Sequence, residues 1–110
     1  MRFECCVKNG CGVVRVLDNV RVDTDLTPLL DHVKDCLAQG ATSIALCFGP
    51  YSFFCSLSLG VLVRAVQLAQ ESGAKVCLVR PNESLKSVLQ TTALIEFFET
   101  AESEEELVIA

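Results

Sequence analysis

Apolar residues in this chain fall into short blocks with two different spacings. Residues 3–7 and 12–17 are apolar or β-branched runs on either side of Lys8-Asn9-Gly10. Asn-Gly between two such runs is a strong hairpin signal, so they are expected to pair as antiparallel strands. Asp18-Asn19 then turns the chain. Thr24-Asp25 or Thr27-Pro28 opens a helix, with Thr as N-cap and Pro in the first turn. Leu26, Leu29, Leu30, Val33 and Leu37 recur at helical spacing, and Gly40 is a natural stop. Asp31, Lys34 and Asp35 occupy the opposite face, so this helix is expected to be amphipathic. His32 is expected on its solvent edge, without partners.

No charged side chain occurs from residue 36 to residue 63. About 20 apolar residues suffice to span a bilayer, but Gly49-Pro50 would break a spanning helix here. Gln39, Thr42, Ser43, Ser52, Ser56 and Ser58 interrupt the run, and no Lys/Arg cluster flanks it. The run is therefore read as a strand over 43–48, buried on both faces, then a loop and a helix over 57–72. Ser56 or Ser58 would cap this helix. A strand over 75–79 follows, then a helix from Pro81-Asn82 with Leu85, Val88 and Leu89 at helical spacing, then a strand over 95–99. Ser103-x-x-Glu106 is a capping-box pattern that predicts a short acidic helix to Ala110. The order β-β-α-β-α-β-α-β-α predicts a single α/β domain over residues 1–110, with a mixed, mostly parallel sheet and about four helices.

Composition agrees with one globular domain: 51% of residues are apolar and 21% charged. The net charge of −5 and the scattered Lys and Arg residues argue against nucleic-acid binding. The N-terminal residues show no signal-peptide hydrophobic region, and Arg2 excludes myristoylation, so a cytoplasmic protein is expected. Seven cysteines, an odd count without C-x-x-C, fit neither a disulfide scaffold nor a zinc ribbon. Cys5, Cys6 and Cys11 are close in sequence, but adjacent strand residues point to opposite faces. With one histidine available, no metal site or cofactor is expected. The cysteines read as small buried hydrophobes. No Ser-His-Asp, Cys-His or paired-carboxylate set is visible, nor any Gly-rich phosphate loop.

The second helix carries more apolar surface than docking requires. Leu59, Leu62, Val63, Val66 and Ala69 form one stripe, enough to pack on a sheet. Leu57, Val61, Ala65 and Leu68 form another. Either neighbouring elements cover that second stripe or it awaits a partner or a second copy of the chain.

Residues 44–60, with the order of elements, resemble a STAS domain (sulfate transporter and anti-sigma factor antagonist). Arg21-Val22-Asp23, Ser72-Gly73-Ala74-Lys75, Ile95-Glu96-Phe97-Phe98 and Ser103-Glu104-Glu105 extend the likeness over nearly the whole chain. The family motif at the start of the second helix is Asp-Ser-Ser/Thr-Gly-Leu-Gly. Here Cys55 stands for the Asp, Ser56 matches the first Ser, and Leu57 falls on the phosphorylated Ser/Thr. Ser58 falls on the Gly, while Leu59 and Gly60 match. Cys47 replaces a second Asp common at the end of the third strand.

The resemblance implies a bacterial, non-catalytic module that binds an anti-sigma factor of the serine-kinase type and frees a sigma factor. The implied contact residues are Ser56, Leu57, Ser58, Val61, Ala65 and Leu68, at the N-terminal part of the second helix. Leu57 has no hydroxyl, so the usual phosphorylation switch is absent at its position. Ser56 and Ser58 are the remaining candidate phosphoacceptors. The alternative is a cytoplasmic accessory subunit of a lipid or anion transporter, whose partner would be an ATPase subunit. A third reading is a small-molecule sensor or thiol enzyme using Cys55, since a helix N-terminus lowers a thiol pKa.

Overall fold

The computed structural model describes residues 2–102. Strands β1 (Phe3–Lys8) and β2 (Cys11–Val16) form the expected hairpin, Phe3 opposite Val16 and Lys8 opposite Cys11. Asn9 and Gly10 both turn through positive φ, +50° and +79°. Two consecutive left-handed residues match the twist of the flanking strands, which is why Asn-Gly suits this position. Helix α1 (Pro28–Ala38), strand β3 (Ser43–Cys47), helix α2 (Ser56–Glu71), strand β4 (Lys75–Val79) and helix α3 (Glu83–Thr91) follow. A 3-10 turn (Ile95–Phe97) and strand β5 (Glu99–Ala101) complete the described chain. The sheet order is β1-β2-β3-β4-β5, antiparallel at the hairpin and parallel thereafter.

Each parallel connection steps one strand in the same direction. Right-handed crossovers then bring α1, α2 and α3 to a single face of the sheet. Alternate strand residues Val14, Val16, Ile44, Leu46, Val76 and Leu78 build the main core with Leu29, Val33, Leu62, Ala65, Ala69, Leu85 and Leu89. Cys11, Val13 and Ala45 form a smaller buried cluster on the other side of the same strands. A strand buried on both faces needs no polar alternation, which explains the unbroken apolar run in β3. Gly12 lies under α1: a Cβ there would stand 2.6 Å from the Cys36 Cβ. A glycine in β2 therefore sets how closely α1 approaches the sheet.

Several expectations change, and one falls outside the described residues. The last strand lies later than predicted: residues 95–97 are a 3-10 turn and the pairing with β4 begins at Glu99. Thr27 stands at the N-cap of α1, but its side chain caps nothing; its N–H donates to Asp25 Oδ1 at 3.0 Å. The described residues contain three α-helices, and the acidic helix predicted from Ser103 lies outside them. His32 is half-buried and does have partners: its ring lies 4.6 Å from that of Phe3, and its Nδ1 is 3.1 Å from Cys5 Sγ. Cys5 and His32 are 27 residues apart in sequence, so no local pattern announced this pair. Partial desolvation and the nearby Asp35, Cys6 and Glu4 push the Cys5 thiol up, away from the nucleophilic thiolate. Cys11, Cys36 and Cys77 are buried, as small hydrophobes are, whereas Cys5 is exposed.

Candidate partner-binding surface at the start of the second helix

The chain between β3 and α2 has no charged side chain, and its backbone is tied down by the loops on either side. From the loop after β2, Asn19 Oδ1 accepts the Tyr51 N–H at 3.1 Å. The buried Ser52 hydroxyl accepts the Val20 N–H at 2.8 Å, and the Phe53 N–H donates to Val20 O at 2.7 Å. From the loop after β4, Asn82 Nδ2 donates to Pro50 O at 3.2 Å and to Ser52 O at 2.8 Å. Ser84 Oγ accepts the Phe54 N–H at 3.1 Å. The Phe54 ring is buried edge-on against Phe48, centroids 5.1 Å apart. These bonds satisfy backbone groups that a half-buried loop would otherwise leave unpaired. All three loops lie at the carboxyl ends of parallel strands, where open α/β sheets place their binding sites.

Read as sequence alone, Asn19, Ser52, Asn82 and Ser84 have no role in holding this loop. Only Asn82 carried a local signal, as an N-cap type directly before a helix. It does cap α3, accepting the Leu85 N–H at 2.9 Å.

Neither candidate serine is the N-cap of α2. Cys55 holds that position in extended geometry (φ −128°, ψ −175°), and Ser58 is the third helical residue. Ser58 Oγ accepts the Cys55 N–H at 2.9 Å and donates to Cys55 O at 3.0 Å, while the Cys55 sulfur faces the Ser58 N–H. This is a capping box in which sulfur, a weak acceptor, replaces the usual oxygen. The N–H groups of Ser58 and Leu57 hold the Cys55 thiol below its ordinary value. Helix α2 thus begins with Ser56, one residue before the predicted start.

The predicted contact residues separate sharply. Leu57 is 72% exposed and Ser56 is exposed beside it. Val61 and Leu68 are half-buried. Ser58 is only 2% exposed and Ala65 is fully buried, so neither offers surface to a partner. Helix α1 packs against α2, and of the second apolar stripe Ala65 joins the core while Val61 lies at its margin. Leu17, Val22, Tyr51, Phe53 and Phe97 are the other exposed large hydrophobics among the described residues, and of these Val22, 62% exposed, lines a groove with Leu57. Val22 belongs to the loop before α1 and reaches Leu57 only through the fold. Together with Leu26, Val61 and the segment 23–25, Val22 and Leu57 line an open groove of about 280 Å³. The described residues hold no group of three or more His, Cys, Asp or Glu side chains arranged for a metal. No described helix is long and apolar enough to cross a membrane.

No curated protein sequence matches the chain significantly. Solved structures match its fold. The Thermotoga maritima protein TM1081 superposes with a TM-score of 0.80 at 23% identity, over 97% of this chain and 92% of that one. The anti-sigma factor antagonist SpoIIAA in its unphosphorylated form gives 0.75 at 21% identity, over 97% and 93%. An anti-sigma factor antagonist from Mycobacterium paratuberculosis gives 0.71 at 16% identity, over 98% and 91%. The STAS domain model matches residues 10–107. With that match over most of its length and this fold, the chain belongs to the STAS domain family.

Proposed function

We propose that this STAS domain is a non-catalytic interaction module whose working surface is the outward-facing start of α2 with the adjoining loop before α1. The observation that carries the reading is the exposure of Leu57, at 72%, on a groove it shares with the exposed Val22. A monomer gains nothing from keeping such side chains together in water. Burying a Leu, Val or Phe side chain contributes about 1.5–3 kcal/mol, so a few such anchors supply the core of a protein interface. The structural likeness to anti-sigma factor antagonists favours a partner of the anti-sigma factor, serine-kinase type.

Leu57 also bears on regulation. A phosphoryl group adds roughly −1.5 to −2 charge at neutral pH, which an apolar contact cannot accommodate without loss of binding. Leucine cannot receive it, so the domain stays competent to bind at that position. Ser56 is exposed and remains a candidate acceptor, whereas the Ser58 hydroxyl is buried in the capping box.

A pull-down from source lysate tests the reading, with tagged wild type beside Leu57→Asn and partners identified by mass spectrometry. An ATPase-fold anti-sigma factor retained by wild type and lost by the variant is the expected result. A transporter subunit lost in the same way would assign the surface to the accessory-subunit role. Enrichment of the chain itself would assign it to self-association. An identical set of proteins on both baits would sink the α2 surface as the contact.

A further inference from the structure

We infer that Cys5 and His32 form a binding site for a soft monovalent metal ion, copper(I), which would bridge strand β1 to helix α1. The site uses none of the residues of the surface proposed above and goes beyond that reading. Cys5 Sγ lies 3.1 Å from His32 Nδ1, so a thiol and an imidazole nitrogen already converge on one point. Strand β1 is an edge strand, and Cys5 is exposed on it while His32 is half-buried. Phe3 and Cys5 alternate onto the same face of β1, and both meet His32 of α1. The Phe3 ring lies 4.6 Å from the imidazole, at 33°, and limits how far it can turn. One donor is therefore held and the other is open to solvent, as an ion entering from water requires.

The donor set selects the metal. Sulfur and imidazole nitrogen suit copper(I) and zinc(II), but structural zinc takes four ligands. Among the described residues, no group of three or more His, Cys, Asp or Glu is arranged for a metal. Copper(I) is soft and accepts two ligands in line. With metal–ligand bonds of about 2.0–2.3 Å, a linear bridge sets sulfur and nitrogen roughly 4 Å apart. Rotation of the exposed Cys5 side chain opens the present 3.1 Å contact by the required ~1 Å. Binding exchanges a proton for the metal. Copper(I) replaces the hydrogen on the Cys5 sulfur, the proton leaves to solvent, and neutral His32 gives its Nδ1 lone pair; no oxidation state changes. The carboxylates of Glu4 and Asp35 act electrostatically on the Cys5 sulfur. Negative charge there disfavours a bare thiolate and favours a cation beside it. Asp35 follows His32 by about one turn of α1, and Glu4 is also paired with Arg15.

The test loads the reduced full chain with copper(I) under anaerobic conditions, in competition with a chromophoric copper(I) chelator. Wild type is expected to hold one ion per chain, and Cys5→Ser and His32→Gln should each weaken binding at least about tenfold. Cys6→Ser should bind as wild type does, because adjacent strand residues point to opposite faces. X-ray absorption at the copper edge should show two ligands, one sulfur and one nitrogen. In wild type, which needs no variant to fold, bound copper should shield Cys5 from iodoacetamide. Loss of binding in Cys5→Ser with none in His32→Gln would overturn the pair as the site. So would an equal loss in Cys6→Ser, two or more sulfurs around the copper, or copper that leaves Cys5 open to alkylation. Equal retention of zinc(II) would overturn the choice of metal. The lysate pull-down decides the partner-binding reading independently of every one of these outcomes.

Discussion

The Asn82 carboxamide bonds across the fold to the backbone of Ser52: Nδ2 donates to Ser52 O at 2.8 Å while Oδ1 caps α3 through the Leu85 N–H at 2.9 Å. One side chain thus starts a helix and holds the loop that presents the next functional surface. Replacing it separates the two roles. Asn82→Ala loses the cap and the clasp and is expected to cost about 2–3 kcal/mol in urea unfolding. Asn82→Asp keeps the acceptor for Leu85 but loses the donor, and should cost about half as much. Equal losses in the two variants would show that the loop clasp adds nothing.

Leu57 and Ala65 lie on one apolar stripe yet predict opposite outcomes. Leu57→Asn should leave stability within about 0.5 kcal/mol of wild type, because the side chain is already in water. Ala65→Asn places a larger polar group in the packed core and should cost more than about 2 kcal/mol. A large stability loss in Leu57→Asn would mean that its effect in any binding assay is indirect.

The two serines of the helix start should also diverge. Ser58→Ala removes the acceptor for the Cys55 N–H and should cost about 1–2 kcal/mol. Ser56→Ala should change stability by less than about 0.5 kcal/mol. In a phosphorylation assay with a serine kinase, incorporation into the folded chain should be confined to Ser56 among these two. Modification of Ser58 without unfolding would contradict the buried geometry.

The cysteines offer a pH readout. The backbone N–H groups of Ser58 and Leu57 favour the Cys55 thiolate, so its iodoacetamide alkylation should rise with a midpoint below the ordinary thiol value of 9.0. Cys36 is buried and pushed up to about 11, so it should resist labelling in the native state and react only in denaturant. Peptide-resolved mass spectrometry across pH 6 to pH 10 (roughly the thiol titration range) checks both. A Cys55 midpoint at or above 9.0 would remove the helix-start effect on this thiol.

Gly12 controls the seating of α1. A methyl group there would meet Cys36 Cβ at 2.6 Å and Sγ at 2.9 Å, so Gly12→Ala must push α1 outward. A loss of about 1–3 kcal/mol is expected. Adding Cys36→Ala, which removes the Sγ, should recover part of it. If the double variant is no better than the sum of the singles, the Cys36 sulfur adds nothing to the clash.

Much of this was written locally. The Asn-Gly turn needs only two residues able to adopt positive φ, and the strand over 75–79 needs only its own unbroken apolar run. Parallel order followed from alternating element types. The last strand misled because Ile95, Phe97 and Phe98 are apolar enough for a strand. Pairing with β4 is available only from Glu99, so the preceding residues tighten into a 3-10 turn. The second stripe of α2 shows the same limit. Its spacing is legible, but which part stays exposed depends on where α1 lies.

By itself, then, the sequence determined the order of elements, the hairpin, the apolar faces and the absence of a hydroxyl at Leu57, because each depends on neighbours within a few residues along the chain. The tertiary structure alone decided that Ala65 and Ser58 are buried, that Val22 and Asp23 stand beside Leu57, that Asn82 holds Ser52, and that His32 meets Cys5. Those relationships join segments that touch only after the sheet has brought the strand ends together, and packing distance is not encoded in local periodicity.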